Sequence, residues 1–260
     1  MSRRWIVILG SSSGFGAAAA RAFAAEGYGI FGVHMDRRST MPAVEALIAE
    51  LRALDVPVHF YNGNAAGDDN RDEAVEQLKA AMGEGDRVGV LMHSLAFGTL
   101  RPLVSADGKA LGRRHIEMTL DVMATSLVYW TQDLVGPGLL GEGGRIYAMT
   151  SSGSLAALPA YGAVSAAKSA LESYIRQLAV ELAPQGITAN AIMAGVTDTA
   201  ALRKIPGSDD LVRKALERNP YHRLTTPEDV AACMVDLARP GTSWLTGNVL
   251  RVDGGETIAG

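Results

Sequence analysis

Three side chains between Thr150 and Leu182 carry groups from which proton-transfer chemistry is built: the Ser151 hydroxyl, the Tyr161 phenol and the Lys168 ammonium. A phenol held near an ammonium group can give a proton or a hydrogen bond to an oxygen that gains negative charge, and a neighbouring hydroxyl can orient it. Tyr161 and Lys168 are seven residues apart. On a helix that is two turns, which sets both on nearly one side, about 10 Å apart along the axis at ~1.5 Å per residue. Two long side chains on one face can converge on a ligand lying across it. Taken singly, each has a plainer reading, an amphipathic surface tyrosine and a solvated lysine, so the rest of the chain must decide.

The element that must position them is a helix. Val164, Ala167, Leu171, Ile175, Leu178 and Leu182 recur at three- and four-residue steps and form one apolar face. Pro159 precedes the pattern, where proline suits a helix start, and Pro184 and Gly186 close it.

Upstream, Trp5 to Leu9 is an apolar run suited to a strand buried on both faces. It leads into Gly10-Ser-Ser-Ser-Gly14-Phe-Gly16 and then an alanine-rich helix to about Glu26. Strand, glycine turn and helix in that order form a phosphate-site pattern, because glycines let the backbone approach a pyrophosphate and the helix start offers free N–H groups. A second strand, Gly29 to His34, runs into Met35-Asp36-Arg37-Arg38. An acid at that strand end bonds ribose hydroxyls, whereas an arginine accommodates a 2′-phosphate. Both are present, and the adjacent Arg37 and Arg38 tip the expectation toward NADP(H) over NAD(H). Asn64 and Ala65 follow a third strand, Val56 to Tyr61, where an adenine would lie, although an ordinary turn accounts for Asn62 and Gly63 as well.

Helices are expected over 41–54, 69–82 and 113–134, and strands over Arg87 to Met92, Gly144 to Met149, Ile187 to Met193 and Asn248 to Val252. Thr226-Pro227-Glu228-Asp229 opens a last helix to Arg239. The strand–helix alternation predicts a single doubly wound α/β domain of Rossmann type over residues 1–260, with a seven-stranded parallel sheet. Residues 196–225 lie beyond a strand's C-terminal end, where a substrate lid would sit.

Bulk properties narrow the classes. The 260 residues carry a net charge of -4, with 48% hydrophobic and 20% charged residues, an ordinary globular balance that argues against nucleic acid as a main partner. One cysteine, Cys233, permits neither an intrachain disulfide nor a cysteine metal cluster. His34, His59, His115 and His222 show no metal-ligand spacing, so no metal is expected. The N-terminal apolar run is too short for a signal core or a membrane span, which sets a cytoplasmic location as the expectation.

Over essentially its whole length the sequence resembles the short-chain dehydrogenase/reductase family. GSSSGFG at 10–16, the serine, tyrosine and lysine of the central stretch, NAIMAG at 190–195 and LTGNVLRVDGG at 245–255 carry the likeness. Most members have their tyrosine four residues before the lysine; here Val164 holds that place. Most have Asn-Asn-Ala-Gly after strand four and an asparagine in the next helix; here these are His93-Ser94-Leu95-Ala96 and Met123. These departures resemble the enoyl-acyl-carrier-protein reductases, and residues 168–202 are especially similar to their type III branch. Ser151 stands where many of those reductases carry a second tyrosine, and it lies 17 residues before Lys168, the spacing of a carbonyl-reducing member. Reduction of a 3-oxoacyl thioester or another ketone is therefore the alternative.

The resemblance implies a nicotinamide cofactor along the strand C-termini, held by Gly10, Ser12, Ser13, Gly14, Phe15, Gly16, Asp36, Arg37, Asn64, Ala65, Ser94, Lys168, Gly195, Val196 and Thr197. It implies Tyr161, Lys168 and Ser151 as the catalytic groups, with the Lys168 charge lowering the tyrosine pKa, an acyl-carrier or small-molecule thioester as substrate, and a homotetramer. Phe97, Leu100, Met193 and Leu202 are candidates for an acyl site or for plain core packing. His93 reads better as a hydrogen-bonded strand-end residue than as an acid or base.

Overall fold

The structure, a computed structural model, describes residues 2–259. Continuous apolar runs become strands because a parallel sheet covered by helices on both faces has no solvated side. Ile6 to Leu9 of β1 (Arg4–Leu9) are fully buried accordingly. The other strands are β2 (Gly29–His34), β3 (Val58–Asn62), β4 (Arg87–His93), β5 (Leu140–Thr150), β6 (Thr188–Ala194) and β7 (Val249–Val252). They form one seven-stranded sheet in the order β3-β2-β1-β4-β5-β6-β7, parallel at every pairing. The expected sheet is thus observed, and the strand order reverses between β1 and β4, which opens a crevice above their C-terminal ends.

Helices α1 (Gly14–Ala25) and α2 (Met41–Arg52) cover one face together with α8 (Pro227–Leu237). On the other lie α3 (Asp68–Ala81), α4 (Arg113–Leu120), α5 (Ser126–Val135) and α6 (Gly162–Glu181). The alanines of α1 let it sit close to α8 and the sheet, with Ala17 to Ala20 buried. Thr226 and Asp229 cap α8 reciprocally, as their spacing predicts. A short α7 (Ser208–Arg218) lies within the irregular segment after β6.

Two elements differ from the sequence expectation. The helix expected over 113–134 is interrupted by a π turn, Asp121–Thr125, between α4 and α5. The Thr125 hydroxyl bridges to the Leu120 and Asp121 carbonyls at 3.1 and 3.2 Å, meeting acceptors that the wider turn exposes. β5 begins at Leu140 instead of Gly144, because Leu140 pairs with Val88 and the register then shifts before Arg145 pairs with Val90. Among the described residues, no helix is long and apolar enough to cross a membrane.

Candidate active site

The crevice is a cleft of about 1000 Å3 along the ends of β1, β2, β4 and β5. Gly10, Ser12, Ser13, Gly14 and Phe15 line one end of it. Gly16 sits beneath the turn, where an added Cβ would fall 1.9 Å from the Gly10 carbonyl oxygen, so only glycine lets α1 start so close under the strand end. Ser13, at the start of α1, makes no side-chain capping bond, which leaves its hydroxyl and the first helical N–H groups to an anion. This cradle fits a dinucleotide pyrophosphate.

Farther along, Asp36, Asn64 and Ala65 line the cleft, and Ser94 lines it at the end of β4. Trp130, fully buried on α5, donates to the Ala65 carbonyl at 2.7 Å and fixes that loop. The Asn64 side chain accepts from the Ala66 N–H at 3.1 Å, so it shapes the turn as well. Asp36 lies 3.0 Å from His34 Nδ1. Partial burial pushes its carboxyl up, but hydrogen bonds from Ser12, Thr40 and His34 more than offset this and hold it below the usual value. Arg37 and Arg38 are exposed and do not line the cleft, contrary to the place expected for Arg37. Its backbone carbonyl instead accepts from the Thr40 and Met41 N–H groups at the approach to α2.

The three side chains expected to react come together at the other end. Ser151, Tyr161 and Lys168 all line the cleft. Tyr161 is not within the helix, as the seven-residue spacing suggests, but caps its start, one residue after Ala160, whose φ is 60°. The ring packs against Gly153, where a Cβ would approach within 2.4 Å of it. Its hydroxyl is 3.4 Å from Ser151 Oγ, which also accepts from the Gly153 N–H at 3.2 Å. Burial raises the Tyr161 pKa and the Ser151 hydroxyl lowers it, with a net upward shift. The expected lowering by Lys168 is not seen, and the phenol stays protonated as a donor.

Lys168 is 6% exposed and donates from Nζ to the Met149 carbonyl at 2.6 Å. Burial pushes its pKa down to about 8, with the nearby Glu172 carboxylate acting in the opposite direction. His93 is fully buried, its pKa driven down to about 3 by burial and by the Lys168 charge, so it is neutral near pH 7. Ser126 Oγ donates to the Val122 carbonyl at 2.8 Å, so His93 Nε2, 2.9 Å away, is the donor to that oxygen. The histidine is a hydrogen-bonded strand-end residue, as expected.

A second cavity of about 560 Å3 adjoins the cleft and shares Ser151, Tyr161, Thr150 and Met123 with it. Its walls are largely apolar: Leu100, Leu155, Leu158 and Val164 below, and Leu202, Ile205, Leu211 and Ala215 from the segment carrying α7 above. Phe97 lines the cofactor cleft instead, and Met193, buried in β6, lines neither. Gly195, Val196 and Thr197 line this second cavity. The Val196 N–H donates to the Glu256 carboxylate at 3.1 Å, Gly195 N–H to the Val252 carbonyl at 3.2 Å, and Thr197 Oγ1 to the Gly195 carbonyl at 3.0 Å.

Sequence reasoning missed Thr150, Glu172 and Glu256. For Glu172 a signal existed, because an acid one turn after Lys168 interrupts an otherwise apolar face. Among the described residues, no cluster of three His, Cys, Asp or Glu side chains is placed to hold a metal ion.

A sequence model described as enoyl-(acyl carrier protein) reductase matches residues 10–257. An enoyl-[acyl-carrier-protein] reductase [NADH] of Nostoc is 31% identical over 216 residues, covering 83% of this chain and 81% of the relative. A 1-cyclohexenylcarbonyl-CoA reductase of Streptomyces collinus is 34% identical over 150 residues, 57% of this chain and 53% of the relative. Among solved structures, the Aquifex aeolicus enoyl-[acyl-carrier-protein] reductase (NADH) superposes with a TM-score of 0.86 at 24% identity, covering 100% of this chain and 98% of the other. A 3-oxoacyl-[acyl-carrier protein] reductase of Brucella melitensis gives 0.82, also at 24%, covering 100% and 99%, so the fold alone does not separate the two reactions. With the family match spanning both cavities and the Tyr161–Lys168 pair between them, the chain is an NAD(P)-dependent oxidoreductase and belongs to the short-chain dehydrogenase/reductases, in the enoyl-(acyl carrier protein) reductase family.

Proposed function

We propose that this protein reduces a trans-2-enoyl thioester, carried by an acyl carrier protein or a comparable thiol, to the saturated thioester. The observation that carries this reading is the place of Tyr161, buried where the dinucleotide cleft adjoins a largely apolar cavity of about 560 Å3 that suits an acyl chain. The bound nicotinamide cofactor supplies the hydride that adds to the substrate's β-carbon. Negative charge then develops on the thioester oxygen, and Tyr161 O–H donates to it. Lys168, lining the same cleft, would hold the nicotinamide ribose. Ser151 fixes the Tyr161 hydroxyl. A proton added at the α-carbon completes the reduction. The 202–218 segment, which roofs the apolar cavity, acts as the substrate lid.

NADH is the proposed reductant, a reversal of the expectation drawn from Arg37 and Arg38. Asp36 lines the adenosine end of the cleft as a carboxylate, which bonds ribose hydroxyls and repels a 2′-phosphate. Arg21, the arginine that does line this cleft, is engaged by Glu50 through two bonds of 2.8 and 2.9 Å. The Nostoc relative is likewise named for NADH. A homotetramer in the cytoplasm is the assembly and location that accompany this reading.

Carbonyl reduction is kept as the second reading by one distance, the 3.4 Å between Ser151 Oγ and the Tyr161 hydroxyl, since that pair could equally protonate an alkoxide. Consumption of NADH and NADPH, followed at 340 nm (roughly the reduced-nicotinamide band), separates the two when a short 2-enoyl thioester and a 3-oxoacyl thioester are supplied in turn. The enoyl substrate is expected to drive consumption. Consumption with the 3-oxo substrate alone would overturn the proposal.

A further inference from the structure

Glu172 is a carboxylate with 8% of its surface exposed, on the face of α6 that packs against the sheet. A carboxylate in such a place must be matched by donors or by a cation. It has both. Thr150 Oγ1, the last side chain of β5, donates to Glu172 Oε1 at 2.5 Å. Lys168 lies one helical turn before it on the same face, and the Glu172 charge favours the lysine's charged form.

The contacts around this carboxylate lead directly to the reacting groups. Lys168 Nζ is held by the carbonyl of Met149, the residue before Thr150. Ser151, the residue after it, lies against the Tyr161 hydroxyl. Helix α6 therefore grips three successive residues at the end of β5, through Lys168, Glu172 and the Tyr161 at its own start. We propose that Glu172, a residue outside the reacting set, is a positioning residue: by anchoring Thr150 and facing Lys168 it sets the carbonyl that holds the lysine and the serine that holds the tyrosine. This rests on the reading of Tyr161 and Lys168 given above.

The titratable and charged neighbours define what the experiment must separate. His93 faces Lys168 from the end of β4 and is neutral near pH 7. Tyr161 lines the same cleft at the helix start. On the elements packed against α6, Asp121 of the π turn and His115 of α4 are half-buried, while Arg113, Arg114 and Glu117 of α4 are exposed. Glu172 is thus the buried carboxylate that favours the charged lysine.

The test is an NMR titration of Lys168 in isotope-labelled protein without substrate, its signal assigned with Lys168→Met, beside the pH profile of turnover with an enoyl thioester. In Glu172→Gln, which is nearly isosteric and keeps an acceptor for Thr150, the Lys168 midpoint is expected to fall by about 1 pH unit. The high-pH limb of turnover should move down with it. In Thr150→Val, which keeps the Glu172 charge, the midpoint should move less than in Glu172→Gln, and turnover should fall about tenfold through loss of alignment. A Lys168 midpoint unchanged in Glu172→Gln, or full turnover in Thr150→Val, would overturn the positioning role. Absence of wild-type turnover with the enoyl substrate would instead remove the reading of the reaction, while the titration would still decide whether Glu172 governs the lysine.

Discussion

Replacing Lys168 by methionine should change the pH dependence of folding in a way that measures how strongly the site strains its own lysine. In the fold the ammonium group has a pKa of about 8, against an ordinary value of 10.5, because it is buried. Between those two values the unfolded chain binds more protons than the native one, so the wild-type protein gains stability as pH rises from about 8 to about 10.5. At about 1.4 kcal/mol for each tenfold change in proton affinity, the gap between the two values corresponds to about 3 kcal/mol. Below pH 8 that full amount opposes folding; above about pH 10.5 it is gone. Lys168→Met carries no such group. The difference in unfolding free energy, wild type minus variant, should therefore rise by about 3 kcal/mol across the window. Loss of the bond to the Met149 carbonyl offsets the curve of the variant but does not give it this slope. Urea denaturation of both proteins at pH 7, 8, 9 and 10 reads the difference directly. A difference that stays flat with pH would refute the account of Lys168 as a desolvated cation held for function.

Three further outcomes follow from single contacts. Gly16→Ala places a Cβ 1.9 Å from the Gly10 carbonyl, so the turn must shift; cofactor affinity, read by fluorescence titration, should weaken at least about tenfold, at a stability cost of roughly 1–3 kcal/mol. Asp36→Ser removes the carboxylate from the adenosine end, and the ratio of kcat/KM for NADH over NADPH should drop by about tenfold or more; an unchanged ratio would show that Asp36 does not select the cofactor. Thr226→Ala deletes the bond from the Asp229 N–H to the threonine hydroxyl at 3.2 Å and should lower stability by about 1 kcal/mol, read by thermal unfolding, with KM unchanged.

What the sequence disclosed depended on how local the signal was. Strands buried on both faces announced themselves as apolar runs, and the glycine turn after β1 was recognisable because its conformation requires that residue type. The pairing of Tyr161 with Lys168 was legible, but its geometry was not: Ala160 turns the chain into the left-handed region just before the helix, which makes the tyrosine a cap. The π turn leaves the apolar periodicity on either side intact and so has no sequence signature. The early start of β5 was hidden by Gly141, Gly143 and Gly144, which accommodate the register shift against β4. Arg37 and Arg38 were misleading because adjacency says nothing of direction; Asp36 lines the cleft and they do not. Glu172 escaped notice because its partner, Thr150, is distant in the chain and meets it only once α6 packs on the sheet.

The most direct test of the central claim, that the Tyr161 hydroxyl is the donor to the developing oxyanion, is a single-turnover measurement of enoyl thioester reduction in Tyr161→Phe with NADH already bound. The variant keeps the ring against Gly153 and the Lys168 bond to Met149, so NADH affinity should be retained while the reduction step slows by about 10²–10³-fold. Reduction at the wild-type rate, with the cofactor bound equally well, would contradict it.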